Sequence, residues 1–215
     1  MHKITAIEPQ RKNPQRVNIH LDGEFAFGLA RLVAAWLKIG QEISDEKIVA
    51  LQAEDEREVV FQRALRFLNY RPRSSAEIRR NLEKAQVPPA LVAGTIERLE
   101  SNGLVNDETF ARLWVENRNQ FRPRSRSYLT MELRQKGIDD ELIRKILDAD
   151  VDEEALALEA ARKHARRLQD LDRMTFRNKL SGFLARRGFS YSIISPVISR
   201  VWEETRNRDD RVDLG

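Results

Sequence analysis

The hydrophobic positions of this chain change period part-way along. Over residues 1–28, Ile4 and Ala6, then Val17, Ile19 and Leu21, alternate with polar residues, the period of a half-buried strand. Asp22-Gly23 separates that run from Glu24-Phe25-Ala26-Phe27, a hairpin signal because both central residues of a type I′ turn need positive φ. Leu29 to Trp36 predicts a short helix closed near Gly40, and Ser44 is placed to cap another. Residues 1–54 therefore read as a small α/β module containing a β-hairpin. It should lean on the helical segment after it, since isolated hairpins are marginal in water.

From Asp55 onward the spacing is helical, and it repeats. Laid over itself at a shift of 51 residues, the chain matches its own pattern three times. Ile78, Leu82, Val87 and Leu91 return as Leu129, Leu133, Ile138 and Leu142, then as Leu180, Leu184, Phe189 and Ile193. Arg71-Pro72-Arg73-Ser74 returns as Arg122-Pro123-Arg124-Ser125. A fixed-period self-match marks one supersecondary unit used repeatedly. The predicted fold is mainly α: an elongated array of three tandem three-helix repeats over 55–105, 106–151 and 152–205, with the α/β module before it and a flexible tail at 206–215.

Local signals place the helix ends. In repeat one, Val59, Val60, Ala64, Leu65 and Leu68 mark a first helix, stopped by Pro72 and by its effect on Arg71. Ser74 and Glu77 form a capping-box pattern for the second helix, and Pro88-Pro89 opens the third. In repeat two Asp107 is read as the first cap, Gly137 as the stop of the second helix and Asp139-Asp140 as the start of the third. Repeat three should open with a longer, more basic helix over about 152–170, and Pro196 should kink or restart its last helix. Each unit of about 45 residues is too small to stand comfortably alone, so neighbours should pack on one another.

Candidate chemistry narrows the field further. Among 9 glycines none lies in a phosphate-loop pattern, and there is no cysteine for a disulfide, a thiolate nucleophile or a zinc knuckle. His2, His20 and His164 are far apart in sequence and read as ordinary histidines. Carboxylate pairs such as Asp139-Asp140 sit at helix starts, where the helix dipole accounts for them. No cofactor, metal or catalytic role is expected. No apolar stretch approaches the roughly 20 residues that span a bilayer. The expected protein is a cytoplasmic monomer without membrane contact.

Arginine is what the chain concentrates, within a net charge of +4. Arg71, Arg73, Arg79 and Arg80 surround the first junction of repeat one, and Arg118, Arg122, Arg124 and Arg126 the equivalent junction of repeat two. Arg162, Lys163, Arg166, Arg167, Arg177, Lys179, Arg186 and Arg187 populate repeat three. Guanidinium forks at one recurring structural position suit an acidic, elongated partner such as a nucleic acid or a filament containing one. The alternative is a set of solvated faces bearing local ion pairs. Trp114, Trp202, Phe110, Phe183 and Phe189 sit at core spacing. Tyr70, Phe121 and Tyr128 alone are interleaved with arginines as base stacking would want, and for the repeat equivalents Tyr70 and Phe121 a packing role is equally expected.

The run Leu104-Val105-Asn106-Asp107-Glu108-Thr109-Phe110-Ala111, followed by Glu132-Leu133-Arg134-Gln135-Lys136-Gly137-Ile138, resembles the RecX family of bacterial recombinase regulators. The resemblance covers about 55–205, and the N-terminal module is similar to one carried by longer family members. Ser125, where many relatives have glycine, and the start of repeat three depart from the family pattern. The resemblance implies a non-enzymatic protein of tandem three-helix repeats. Such a protein binds the RecA recombinase and its nucleoprotein filament, lies along the filament groove and damps ATP hydrolysis, strand exchange and co-protease activity. The matching residues Asn106, Asp107, Phe110 and Leu133 read as caps and core rather than contacts, which leaves the arginine junctions as contact candidates. The other reading is a direct DNA-binding helical protein or transcription regulator that binds single- or double-stranded DNA without a recombinase. The modest net charge argues for weak binding to bare DNA.

Overall fold

In the computed structural model, residues 1–212 are described, with side chains through residue 206. Strands β1 (His2–Gln10), β2 (Asn13–Leu21), β3 (Glu24–Ala30) and β4 (Glu42–Ile43) form an antiparallel sheet in the order β3-β2-β1-β4. Asp22 and Gly23 turn the β2–β3 hairpin at φ 52° and 96°, as the turn chemistry requires. The expected helix at 29–36 is not formed as such: Leu29 and Ala30 finish β3, and only Val33–Trp36 coils, as a 3-10 turn.

Helix α1 runs unbroken over Asp45–Leu68, capped by Ser44, whose hydroxyl accepts from the Lys47 N–H. It thus joins the α/β module to repeat one with no linker at residue 55. Repeat one continues with α2 (Ser75–Lys84) and α3 (Pro89–Ser101); repeat two is α4 (Asp107–Phe121), α5 (Arg126–Gln135) and α6 (Asp140–Asp150). Repeat three is α7 (Glu153–Ala165), α8 (Arg173–Ala185) and α9 (Tyr191–Val212). Helix α7 is shorter than expected, ending before the turns at 166–172. Helix α9 passes through Pro196 without a break, forgoing one backbone N–H to the Ser192 carbonyl. The expected tail at 206–215 overlaps α9 as far as Val212; residues 213–215 lie outside the described residues.

One cap moves by a residue and another stays in place. Asn106, not Asp107, caps α4, accepting from Thr109 N–H. Asp139 caps α6 as expected. Each repeat encloses its own core, and the 51-residue register fixes its centre: Ile78 and Leu82, Leu129 and Leu133, Leu180 and Leu184 are all at 0% exposure. Val59, placed on the buried stripe by sequence, is exposed instead. A fourth core lies under the sheet, where Ile19, Leu29, Val33 and Leu51 meet.

The chain forms two compact units. One comprises Met1–Arg73 with Glu77–Val105; the other comprises Ser74–Ala76 with the residues from Asn106 on. Within the first, Asp55 of α1 is buried and accepts hydrogen bonds from the Ala30 N–H and from both terminal nitrogens of Arg16. That contact seals the sheet to α1. Among the described residues, no helix is long and apolar enough to cross a membrane.

Candidate polyanion interface

The second unit contains a joint between repeats two and three, built from the Arg-Pro-Arg-Ser stretch. Ser125 caps α5 by accepting from Tyr128 N–H, and its own backbone N–H donates to the Arg187 carbonyl at 3.0 Å. Arg124 reaches the same turn, its Nη1 donating to the Arg186 carbonyl at 3.1 Å. Gly188 comes next in the chain at φ +88°, and a side chain there would run into Ser125 Oγ and the Tyr128 ring. A related contact occurs elsewhere in this unit, where Ser74 Oγ donates to the Lys136 carbonyl beside Gly137, φ +78°. Serine is small and uncharged, so it fits against the glycine turn and uses backbone carbonyls that helix ends leave open.

This placement separates the candidate cations into those with partners inside the protein and those without. Arg71 is clamped by both Glu77 oxygens, at 2.8 and 3.2 Å. Arg118 donates to Glu132, which also accepts from Trp114 Nε1, and its guanidinium lies over the Trp114 ring. Arg126 holds the Val151 carbonyl and Asp148. Arg162 forms a fork with Glu204, and Lys163 pairs with Glu159 one turn away. Arg177 reaches Tyr191 Oη. Arg73 covers the Phe67 ring at 4.0 Å, and burial, then the charge of Arg71, draw its pKa down. Arg79, Arg80, Arg166 and Lys179 are exposed.

Arg122, Arg124, Arg167, Arg186 and Arg187, like Arg73, Arg79, Arg166, Arg177 and Lys179, make no ion pair among the described residues, and these five lie at the joint of repeats two and three. Arg187 lies 3.7 Å over the Phe183 ring, and Arg124 4.4 Å over Tyr128; the Nε of each is buried without a partner. Burial, then Arg124, Arg186 and Arg122, lower the pKa of Arg187. His164 stacks on Phe183 at 3.8 Å, and burial, then Arg187, Arg167 and Arg186, push its pKa below the ordinary histidine value. No carboxylate appears among the charges acting on either group. Among the described residues, Arg122, Arg124 and Arg186 thus surround Arg187, and Arg167, Arg186 and Arg187 surround His164, five arginines gathered about two groups with no carboxylate acting on either.

Sequence reasoning named these arginines but not the two side chains that organise them. Phe183 was expected in the core and is half-buried, carrying Arg187 and His164 on its ring; His164 was expected to have no special surroundings. The available signal was the i,i+3 spacing of His164 and Arg167, which puts both on one face of the chain as α7 ends. The packing role expected for Tyr70 and Phe121 is not found: Tyr70 is 85% exposed and Phe121 68%. Phe121 directly precedes Arg122 at the end of α4.

Comparison with known proteins covers nearly the whole chain. Residues 2–44 match the regulatory protein RecX N-terminal domain, and 61–99, 106–147 and 152–198 match the first, second and third RecX three-helix domains. The regulatory protein RecX of Bacillus subtilis (strain 168) is 34% identical over 211 residues, covering 96% of this chain and 79% of the relative. That of Bacillus pumilus (strain SAFR-032) is also 34% identical, covering 94% and 79%. A crystal structure of regulatory protein RecX superposes with a TM-score of 0.72 at 27% identity, covering 92% of this chain and 98% of that one. RecX from Lactobacillus salivarius gives 0.60 at 25% identity over 69% of this chain and 97% of that one. With all four of its segments and near-full-length relatives above 30% identity in agreement, the chain belongs to the RecX family of regulatory proteins.

Proposed function

We propose that this chain binds the RecA recombinase on its nucleoprotein filament and restrains ATP hydrolysis, strand exchange and co-protease activity during DNA repair and recombination. Family membership supports the regulatory role. The observation that carries the contact is the carboxylate-free arginine cluster at the joint of repeats two and three. A nucleoprotein filament offers the long acidic surface such a cluster attracts, and steering by unpaired charge speeds encounter. The protein acts here as a binder, in the cytoplasm and without a cofactor.

The test uses preformed RecA filaments on single-stranded DNA. Substoichiometric amounts of the chain should slow ATP hydrolysis, and the chain should co-sediment with filaments in a salt-sensitive way. Arg122→Glu with Arg167→Glu alters two members of the cluster whose side chains make no hydrogen bond or ion pair among the described residues, and their backbone bonds to Arg118 and His164 are kept, so helical content should stay unchanged. Filament affinity should fall about tenfold or more, the scale of one lost charge-assisted hydrogen bond. Unaltered ATP hydrolysis at saturating amounts of the chain would remove the proposal. Unaltered affinity in the double variant would move the interface elsewhere.

A further inference from the structure

We propose that the arginine cluster is a phosphate-operated brace: backbone phosphates of a single-stranded nucleic acid bind across Arg122, Arg124, Arg167, Arg186 and Arg187 and lock repeat two onto repeat three. The proposal rests on reading these arginines as a polyanion contact, but it concerns the protein's own conformation and needs no recombinase.

The cluster straddles a joint. Arg122 and Arg124 precede α5 in repeat two, whereas Arg167, Arg186 and Arg187 belong to the turns after α7 and α8 of repeat three. The hydrogen bonds from Ser125 N–H to Arg187 O and from Arg124 Nη1 to Arg186 O hold the two sides together. Like charges facing each other across that seam oppose its closure. An anion placed between them reverses the sign of the interaction, because each guanidinium then meets a negative group instead of a positive one. Binding and closure are thus linked, and the ligand favours the closed joint by its differential affinity for it.

Two observations select phosphate. Five guanidiniums exceed what one or two carboxylates balance, whereas a nucleic-acid strand supplies charge at every residue. Arg122, Arg167 and Arg186 are exposed, and each guanidinium presents donors in the fork that phosphate oxygens accept. Phe121, exposed beside Arg122, offers a ring face for a base that is not paired, which favours a single strand over a duplex.

Hydrogen exchange at the Ser125 amide reads the joint directly, since that N–H donates across it. The full-length protein is measured alone, with inorganic phosphate, with an oligothymidylate of about twelve nucleotides, a length within known single-strand site sizes, and with polyglutamate, all at one ionic strength. The oligothymidylate should slow exchange about tenfold at about ten times its Kd. Inorganic phosphate should slow it less, and polyglutamate least. Arg122→Gln with Arg167→Gln should abolish the slowing by oligothymidylate, and because it removes like charge from the seam, exchange of the free variant should be no faster than that of the free parent. Unchanged exchange at saturating oligothymidylate would overturn the brace, as would equal slowing in the variant. Equal slowing by polyglutamate would overturn the assignment to phosphate, and slowing by inorganic phosphate alone would overturn the nucleic-acid source. Because RecA is absent, none of these results depends on whether the chain restrains the recombinase.

Discussion

Two seams in this protein do similar mechanical work with opposite electrostatics. Where the N-terminal sheet meets α1, Asp55 sits at 8% exposure between Arg16 and the Ala30 N–H, and close by Glu58 takes Arg98 and Gln62. Where repeat two meets repeat three, the bonds across the seam run to backbone carbonyls, the buried polar side chain is Ser125 at 0% exposure, and the charges acting on Arg187 beside it are positive. The first seam consumes its arginines. The second leaves them available. An arginine that already has a buried carboxylate partner must give up that pair to bind anything else, so a seam meant to face an acidic partner is better held by hydroxyls and backbone groups.

The largest effect that would test this contrast is at Asp55. Asp55→Ala leaves the half-buried Arg16 without its carboxylate, with only the Gly28 carbonyl as acceptor, and the Ala30 N–H without its Asp55 acceptor. Removing one member of such a pair should reduce stability by about 3 kcal/mol, measured by urea unfolding. Arg122→Gln, at the other seam, should change stability by no more than about 0.5 kcal/mol. Comparable losses at the two positions would break the contrast.

A smaller effect sharpens what holds the second seam. Gly188 and Gly40 share a φ of +88°, but a side chain at Gly188 would strike Ser125 Oγ and Tyr128, whereas nothing lies within 4 Å of one at Gly40. Both alanine variants bear the backbone penalty of about 1 kcal/mol. Gly188→Ala should add about 1–2 kcal/mol for the displaced joint, and should also speed exchange of the Ser125 amide. Equal destabilisation of the two variants would mean that the close contact at the joint contributes nothing. The position 51 residues before Gly137 supports the packing argument: Gln86 takes φ 60° there with an exposed side chain, so the left-handed turn tolerates a side chain where none needs to be excluded.

The repeats were legible because their core residues recur at a fixed spacing, and Leu129, Leu133, Leu180 and Leu184 are buried for the reason the spacing suggests. The length of α1 was not. Asp55 and Glu58 look like surface charges in a polar stretch, and their burial depends on Arg16 and Arg98, which are 39 and 40 residues away. The same difficulty concealed the arginine cluster. Arginines at helix junctions are visible in the sequence, but whether a cation is free depends on distant carboxylates: Glu132 for Arg118, 14 residues on, and Glu204 for Arg162, 42 residues on. Of the two readings open for Phe121 and Tyr70, packing fails because equivalence between repeats signals a shared environment, and the shared environment here is solvent.

The smallest effect is in the titration of two histidines, one at each kind of seam. His2 lies between Asp22 and Asp45, its ring nitrogens 3.0 Å from each, and those hydrogen bonds, Asp22 first, raise its pKa above the ordinary 6.5. The folded state then holds more protons than the unfolded one above pH 6.5. His2 therefore contributes stability in full below 6.5 and loses it as pH rises through its raised value. His164 has the opposite sign. Burial first, then Arg187, Arg167 and Arg186, lower its pKa, so the unfolded state holds more protons between that lowered value and 6.5, and stability falls as pH drops through this window. An NMR titration should place the His2 midpoint above 6.5 and that of His164 below it. Arg187→Gln should move His164 upward and leave His2 where it is, because only one of the two rings faces the cluster. If His164 does not move, Arg187 does not act on it electrostatically, and the picture of uncompensated positive charge at the second seam fails on its own terms.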